Sequence, residues 1–303
     1  MKAKYIDPFT DFGFKKIFGE EVSKPMLIDF LNSLLPESNI VDLSFKDKEK
    51  FGQTEDDRKA VYDIYCENTS GEKFIVELQK AKQNYFKDRT IYYSTFPIQE
   101  QAEKGKWDYS LKYVYCIGIL DFKFDDAKNT NEEVIHIVQL KDQNNQLFYD
   151  KLKFVYLEMP HFKKKETELV TRLDKWLYFI KHLEDFQNIP EIFKDDIFKQ
   201  AFENAEIANY STAERHRYEQ SLKAYRDFTN AFDTALLEGK IEGKIEGKIE
   251  GKIEGKIEGK IEGKIEGETE KAIEIAKKLI SKGIDIDFVI ETTGLSKEQL
   301  ENL

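Results

Sequence analysis

Residues 61–79, VYDIYCENTSGEKFIVELQ, limit what this chain can fold into more than any other stretch. Two runs of β-branched, aromatic and aliphatic residues flank Glu67-Asn68-Thr69-Ser70-Gly71-Glu72, a cluster of turn formers, so the segment predicts an antiparallel hairpin. Folded about Ser70, it sets Tyr65 opposite Ile75, Asp63 opposite Glu77 and Val61 opposite Gln79. Side chains alternate along a strand. Asp63, Glu77 and Gln79 are therefore expected on one face, and Tyr62, Ile64, Cys66, Phe74, Val76 and Leu78 on the other, a core face. Like charges placed directly opposite destabilise a sheet, so this pair of acids calls for compensation, which a hard cation supplies. Mg²⁺ commonly takes one or two protein carboxylates and completes its shell with water and phosphate oxygens. Two acids that merely share a solvated strand face are the competing explanation.

Around the hairpin the pattern alternates between helix and strand. Residues 23–35 (SKPMLIDFLNSLL) open on Ser23, carry Pro25 in the first turn and repeat apolar residues at helical spacing up to Pro36. Residues 11–18 (DFGFKKIF) predict a shorter helix or turn, 40–45 a strand, and 86–104 a helix that Pro97 should kink. YVYCIGILDF, residues 113–122, is apolar nearly throughout, as a strand covered on both faces must be. A strand pair is expected over 133–140 and 153–157, and from Glu166 onward only helices, over 167–185 and 205–237. The sum is a mixed sheet with helices against it.

Seven consecutive copies of Gly-Lys-Ile-Glu run from Gly239 to Glu266. In a helix each residue would meet its own type at i+4, so Lys faces Lys and Glu faces Glu with no opposite-charge pairing. The Ile stripe would drift by about 40° per repeat around a 3.6-residue helix. Either a flexible spacer or a helix supported by a partner or by self-association fits this pattern. Residues 268–303 read as a small two-helix unit divided by Gly283 and Gly294, suited to contacts and not to chemistry.

No apolar run approaches the roughly 20 residues that span a bilayer, and MKAKYIDPFTDF lacks the apolar stretch of a signal peptide, so a cytoplasmic protein without membrane contact is expected. The formal net charge of −11 argues against strong non-specific binding to nucleic acid. That objection weakens on division, because residues 1–125 hold 19 Lys and Arg against 22 Asp and Glu, leaving most of the excess to the remainder. Cys66 and Cys116 lie in apolar, strand-like segments and read as buried thiols. His136, His161, His182 and His216 are scattered without ligand spacing, and no Gly-rich phosphate loop or nucleophilic triad appears.

The segment DIYCENTSGEKFIVELQ resembles the D...ExQ variant of the PD-(D/E)XK signature found in the recombination-promoting nuclease, or PD-(D/E)XK nuclease family putative transposase, family. DPFTDFGFKKIFG followed by LIDFLNSLLP is similar to that family's opening, RTIYYSTFPIQEQAEKG and YVYCIGILDF to its middle, and DKWLYFIKHL to a later part. The resemblance spans about residues 1–240 and rests on the ordered combination. It implies an α/β fold, with a restriction-endonuclease-like mixed sheet flanked by helices, then an α-helical C-terminal region and the repeat tail. The expected division is a nuclease core over 1–160, a helical region over 161–238, the repeats over 239–267, flexible or as a single helix, and a helical segment over 268–303.

The implied activity is Mg²⁺-dependent DNA endonuclease, with Mn²⁺ as a substitute ion, DNA as partner, a homo-oligomer as a further expectation and a role in recombination or mobile elements. Carried over position by position, the resemblance makes Asp63 and Glu77 metal ligands and places Gln79 where the signature usually has Lys. Tyr62, not Pro, precedes Asp63. Gln79 can orient water or phosphate but cannot neutralise developing charge, so Arg89 on the following helix is the expected cation. Asp11 and Lys15 are further candidates, as a supporting acid and a phosphate contact. Two rival readings remain: a nuclease fold that has lost activity and serves as a DNA-binding or scaffold module, and a protein selected for assembly through its repeat tail.

Overall fold

The computed structural model describes residues 3–50, 60–81, 85–103, 105–124 and 132–303. They form two compact units, Met1–Thr229 and Asn230–Leu303. The chain begins with helices α1 (Asp11–Phe18) and α2 (Lys24–Leu34). The Thr10 hydroxyl caps α1 by accepting the Gly13 N–H at 3.0 Å. Gly13 has no substitute there, since a Cβ would lie 2.1 Å from the Asp7 carbonyl oxygen. Pro25 stands in the first turn of α2, where its missing N–H costs no helical bond.

Strands β1 (Leu43–Phe45), β2 (Glu49–Lys50), β3 (Ala60–Val61), β4 (Ile64–Asn68) and β5 (Lys73–Gln79) follow, then helix α3 (Phe86–Gln99) and strands β6 (Val114–Leu120), β7 (Ile135–Lys141) and β8 (Leu147–Glu158). Six of them form a mixed sheet in the order β1-β4-β5-β6-β8-β7, while β2 and β3 pair separately. Strands β5, β6 and β8 run parallel to one another, in a register that aligns Gln79, Leu120 and Glu158 at one end. Tyr65 pairs with Ile75 and Ile64 with Val76, as the turn at Ser70 predicts.

The sheet is covered on both sides, and this corrects the expected hairpin faces. Ile64, Cys66, Phe74, Val76 and Leu78 belong to the larger core, shared with α1 and α2. Tyr65, Ile75, Cys116, Phe154 and Tyr156 build a second core with Phe86 of α3. Tyr62 lies in this second core and not with Ile64, because the chain bends at Asp63 between β3 and β4 and the alternation slips there. The face that carries Glu77 and Gln79 is therefore a covered apolar face with acids at its edge, and not a polar surface.

Pro97 sits in the last turn of α3, so the helix runs on to Gln99 and the expected interruption is confined to its end. Helix α4 (Arg172–His182) is shorter than the predicted 167–185, its ends being 3-10 turns. Helix α5 (Asp196–Ala205) has no counterpart in the sequence reading; it buries Phe198, Ala201, Phe202 and Ala205. Helix α6 (Thr212–Ser281) begins later than expected and continues through every Gly-Lys-Ile-Glu copy. Helices α4 and α5, with Tyr218 of α6, pack into the same core as the sheet.

In the second unit, α7 (Ile286–Thr293) and α8 (Lys297–Glu301) follow the end of α6 around a small core of Ala276, Val289, Leu295 and Leu300. The repeat isoleucines remain about half exposed, and no ion pair links residues of different copies among the described residues. A Cβ added at any repeat glycine meets nothing within 4 Å. Glycine costs a helix about 0.8–1 kcal/mol relative to alanine, so replacing all seven by alanine should add roughly 6 kcal/mol of helix stability. A synthetic (GKIE)7 peptide is expected to be mostly coil by far-UV circular dichroism and its (AKIE)7 counterpart strongly helical. Equal helicity of the two, independent of concentration, would contradict this.

Candidate active site

Asp63 occupies the bend between β3 and β4, while Glu77 and Gln79 lie at the end of β5. Two reciprocal bonds lock the acids together. The Asp63 N–H donates to Glu77 Oε1 at 3.1 Å, and the Leu78 N–H donates to Asp63 Oδ2 at 2.8 Å. Gln79 Nε2 donates to Glu77 Oε2 at 3.3 Å. Each carboxylate is thus oriented by backbone beside its neighbour, which the bend permits and a straight ladder would not.

The electrostatics of the pair are unfavourable without a counter-charge. Burial and then the Asp63 charge push Glu77 up to about 8, against the pull of the Asp63 N–H, Arg89 and the Gln79 amide. Burial likewise raises Asp63 above the usual carboxylate range, opposed by the Leu78 N–H, Lys15 and Lys80 and assisted by Asp11. Glu77 and Gln79 are buried, at 9% and 8% exposure. Gly118 pairs with Glu77 on β6, and because a Cβ there would come within 3.0 Å of the Tyr156 ring, the glycine keeps a small cavity open among Glu77, Thr90 and Tyr156.

Arg89 lies one turn into α3 with its guanidinium 5.6 Å from the Phe86 ring and 5.7 Å from that of Tyr93, on the Glu77 side. Asp11 and Lys15, one turn apart on α1, form an ion pair at 2.7 Å, and both act on Asp63 from the opposite side. Two cations went unnoticed in the sequence. Lys80, directly after Gln79, feels the charges of Asp11, Asp63 and Asp7, and Lys48, whose carbonyl oxygen accepts the Tyr62 N–H, feels those of Lys15, Asp63 and Asp11. A lysine adjoining the ExQ triplet was a readable signal for the first; nothing local marked the second.

A family model described as PD-(D/E)XK nuclease family transposase matches residues 8–235, three quarters of the chain. The chain belongs to this family. A second model, Rpn/YhgA-like nuclease family, C-terminal HTH domain, matches residues 269–303, so the small helical unit around Val289 is similar to a helix-turn-helix domain. No curated protein and no solved structure matches the chain. Membership in the family brings nuclease character and, with the helix-turn-helix, an association with DNA. No described helix is long and apolar enough to cross a membrane.

The donor set suits a divalent cation. Family nucleases generally use such ions, and here two hard carboxylates, held together at a cost, gain from a cation what burial takes from them. Among the described residues no third His, Cys, Asp or Glu joins them, so protein would supply two acidic side chains and leave the remaining positions to water and substrate.

Proposed function

We propose that this protein is a divalent-metal-dependent DNA endonuclease that hydrolyses phosphodiester bonds, in the service of recombination or a mobile element. The observation that carries the reading is the interlocked pair, in which each acid is oriented by the backbone beside the other and neither is comfortable as a bare anion. Asp63 and Glu77 are the residues that would hold Mg²⁺, or Mn²⁺ in its place. The bound cation would polarise the phosphate and favour ionisation of the attacking water. Gln79 fixes the second oxygen of Glu77 and can present its amide to water or phosphate. Arg89 brings positive charge from α3, while on α1 the charge of Lys15 is balanced by Asp11.

In this reading, residues 1–160 carry the chemistry, 161–238 form a helical region, and the repeats over 239–267 lead to the helix-turn-helix-like segment over 268–303, which adds DNA contacts. Assembly into a homo-oligomer would let two such sites address both strands.

Supercoiled plasmid incubated with purified protein should be nicked or linearised in Mg²⁺ or Mn²⁺ and spared in EDTA. Calorimetry should show uptake of the same ions by the protein alone. Ion uptake with plasmid left intact under every condition would favour an inactive nuclease fold retained as a DNA-binding or scaffold module. Absence of both uptake and cutting would sink the metal assignment.

A further inference from the structure

Phosphodiester hydrolysis places extra negative charge on the phosphoryl oxygens as the water oxygen bonds to phosphorus and one ester bond breaks, with the water proton passing to the leaving oxygen. A fixed cation beside that centre is therefore valuable. Gln79 cannot be that cation. Arg89 is laid across the Phe86 and Tyr93 rings on the α3 side, and Lys15 is engaged by Asp11 at 2.7 Å.

Lys80 is differently situated. By the two-residue period of β5 it projects to the same side as Leu78, whose N–H holds Asp63 Oδ2, and hence towards α1. Its ammonium lies 5.5 Å from the Tyr225 ring centre, and among the described residues it has no carboxylate within 4.0 Å. The Tyr225 hydroxyl donates to Asp121 Oδ2 at 2.9 Å, and the Asp121 N–H donates to the Gln79 carbonyl at 2.9 Å. A closed brace thus runs from the end of β5 through Asp121 to the aromatic ring on which Lys80 rests. The brace fixes a half-buried lysine two residues from the N–H that holds Asp63 Oδ2, and no carboxylate among the described residues pairs it. The charges of Asp11, Asp63 and Asp7 favour its protonated form, and that of Lys15 opposes it.

We infer that Lys80 is the cation of the reaction centre, displaced by one residue from the Gln79 position and aimed by Tyr225 at the phosphate that Asp63 and Glu77 attend. The assignment rests on the endonuclease reading, and the two can be separated. In plasmid cutting by the full chain with Mg²⁺, Lys80→Ala should lower kcat about 100-fold or more, as loss of one fixed charge donor does, with KM changed by no more than about threefold. Calorimetric Mg²⁺ uptake and Tm should match the wild type. Lys80→Arg should retain most of the rate, and the double variant Gln79→Lys/Lys80→Ala, which returns the charge to the neighbouring position, should recover at least about tenfold over Lys80→Ala.

Tyr225→Phe keeps the ring but cuts the brace at Asp121, and should give an intermediate loss. Cutting by Lys80→Ala near the wild-type rate, while Asp63→Ala is inactive, overturns the role of Lys80 and leaves the endonuclease reading intact. A loss confined to KM makes Lys80 an ordinary phosphate anchor and also overturns it. A parallel fall in Mg²⁺ uptake or Tm shows a structural role instead. Wild-type protein that never cuts removes both readings together.

Discussion

Glu77→Gln is expected to abolish DNA cutting while making the metal-free protein more stable above neutral pH. The two effects share one cause. A folded-state pKa near 8 in place of the usual value near 4.5 means that the native protein keeps a proton that the unfolded chain has lost between those limits. The stability linked to that proton is fully present below about pH 4.5 and disappears as pH climbs through about 8. The slope across this window approaches 1.4 kcal/mol per pH unit.

The amide introduced by Glu77→Gln would carry no charge at any pH, can still accept the Asp63 N–H, and removes the anion that opposes ionisation of Asp63. At pH 9 the metal-free variant should exceed the wild type by roughly 2 kcal/mol or more, which is about 4–8 °C in Tm for a unit of this size. Mg²⁺ should raise the wild-type Tm and leave that of the variant unmoved, because ligand binding stabilises only the state that binds. Loss of a cation worth several kcal/mol to the transition state lowers cutting by about 1,000-fold or more. Thermal melts at pH 6 and 9, with EDTA and with Mg²⁺, check the stability half. A wild-type Tm independent of pH in EDTA, or equal Mg²⁺ stabilisation of both proteins, would refute this account of the acids.

The hairpin register was legible because it depends on local chemistry: turn formers at 67–72 and strict alternation from Ile64 to Leu78. The same alternation, continued mechanically past Asp63, put Tyr62 on the wrong face. Sequence period carries no sign of a bend whose justification is tertiary, namely the bond from the Leu78 N–H to the Asp63 carboxylate. The cover over Glu77 was hidden for a related reason. The apolar residues of α3 do not form a single stripe, since Ile91 and Tyr92 point outward while Phe86, Tyr93 and Phe96 pack inward. Lys80 was overlooked because strand period assigns it away from Glu77, although the strand ends at Gln79 and Asp63 reaches both sides of that end. Helix α5 is only ten residues long, and its aromatic positions become informative once Trp176 and Phe193 are known to lie against them.

Those aromatic contacts locate the structural weak point of the first unit. Trp176 on α4 is fully buried among Phe18 of α1, Phe30 of α2, Phe198 of α5 and its own neighbour on α4, Phe179, with ring centres 4.5–6.2 Å apart. Its Nε1–H donates to Asp29 Oδ2 at 2.6 Å, the oxygen that Arg172 Nε also engages at 2.7 Å. Four helices therefore meet on one indole, and Trp176→Ala deletes the packing of all four and one charge-assisted bond together. Truncation of a fully buried tryptophan costs about 3–5 kcal/mol, a large part of the roughly 5–15 kcal/mol that stabilises a typical domain. Trp176→Phe keeps most of the volume and loses mainly the bond to Asp29, for about 1–3 kcal/mol.

Because α1 carries Asp11 and Lys15 and rests on this cluster through Phe18, the loss should loosen that ion pair while leaving the metal-holding acids in place. Urea denaturation should move the Trp176→Ala midpoint well below that of Trp176→Phe. The surviving folded fraction of Trp176→Ala should bind Mg²⁺ as the wild type does, since Asp63, at the bend before β4, and Glu77 and Leu78, on β5, lie on the strand hairpin and not on the helices. A Trp176→Ala midpoint equal to wild type would show that the indole is not the keystone described here.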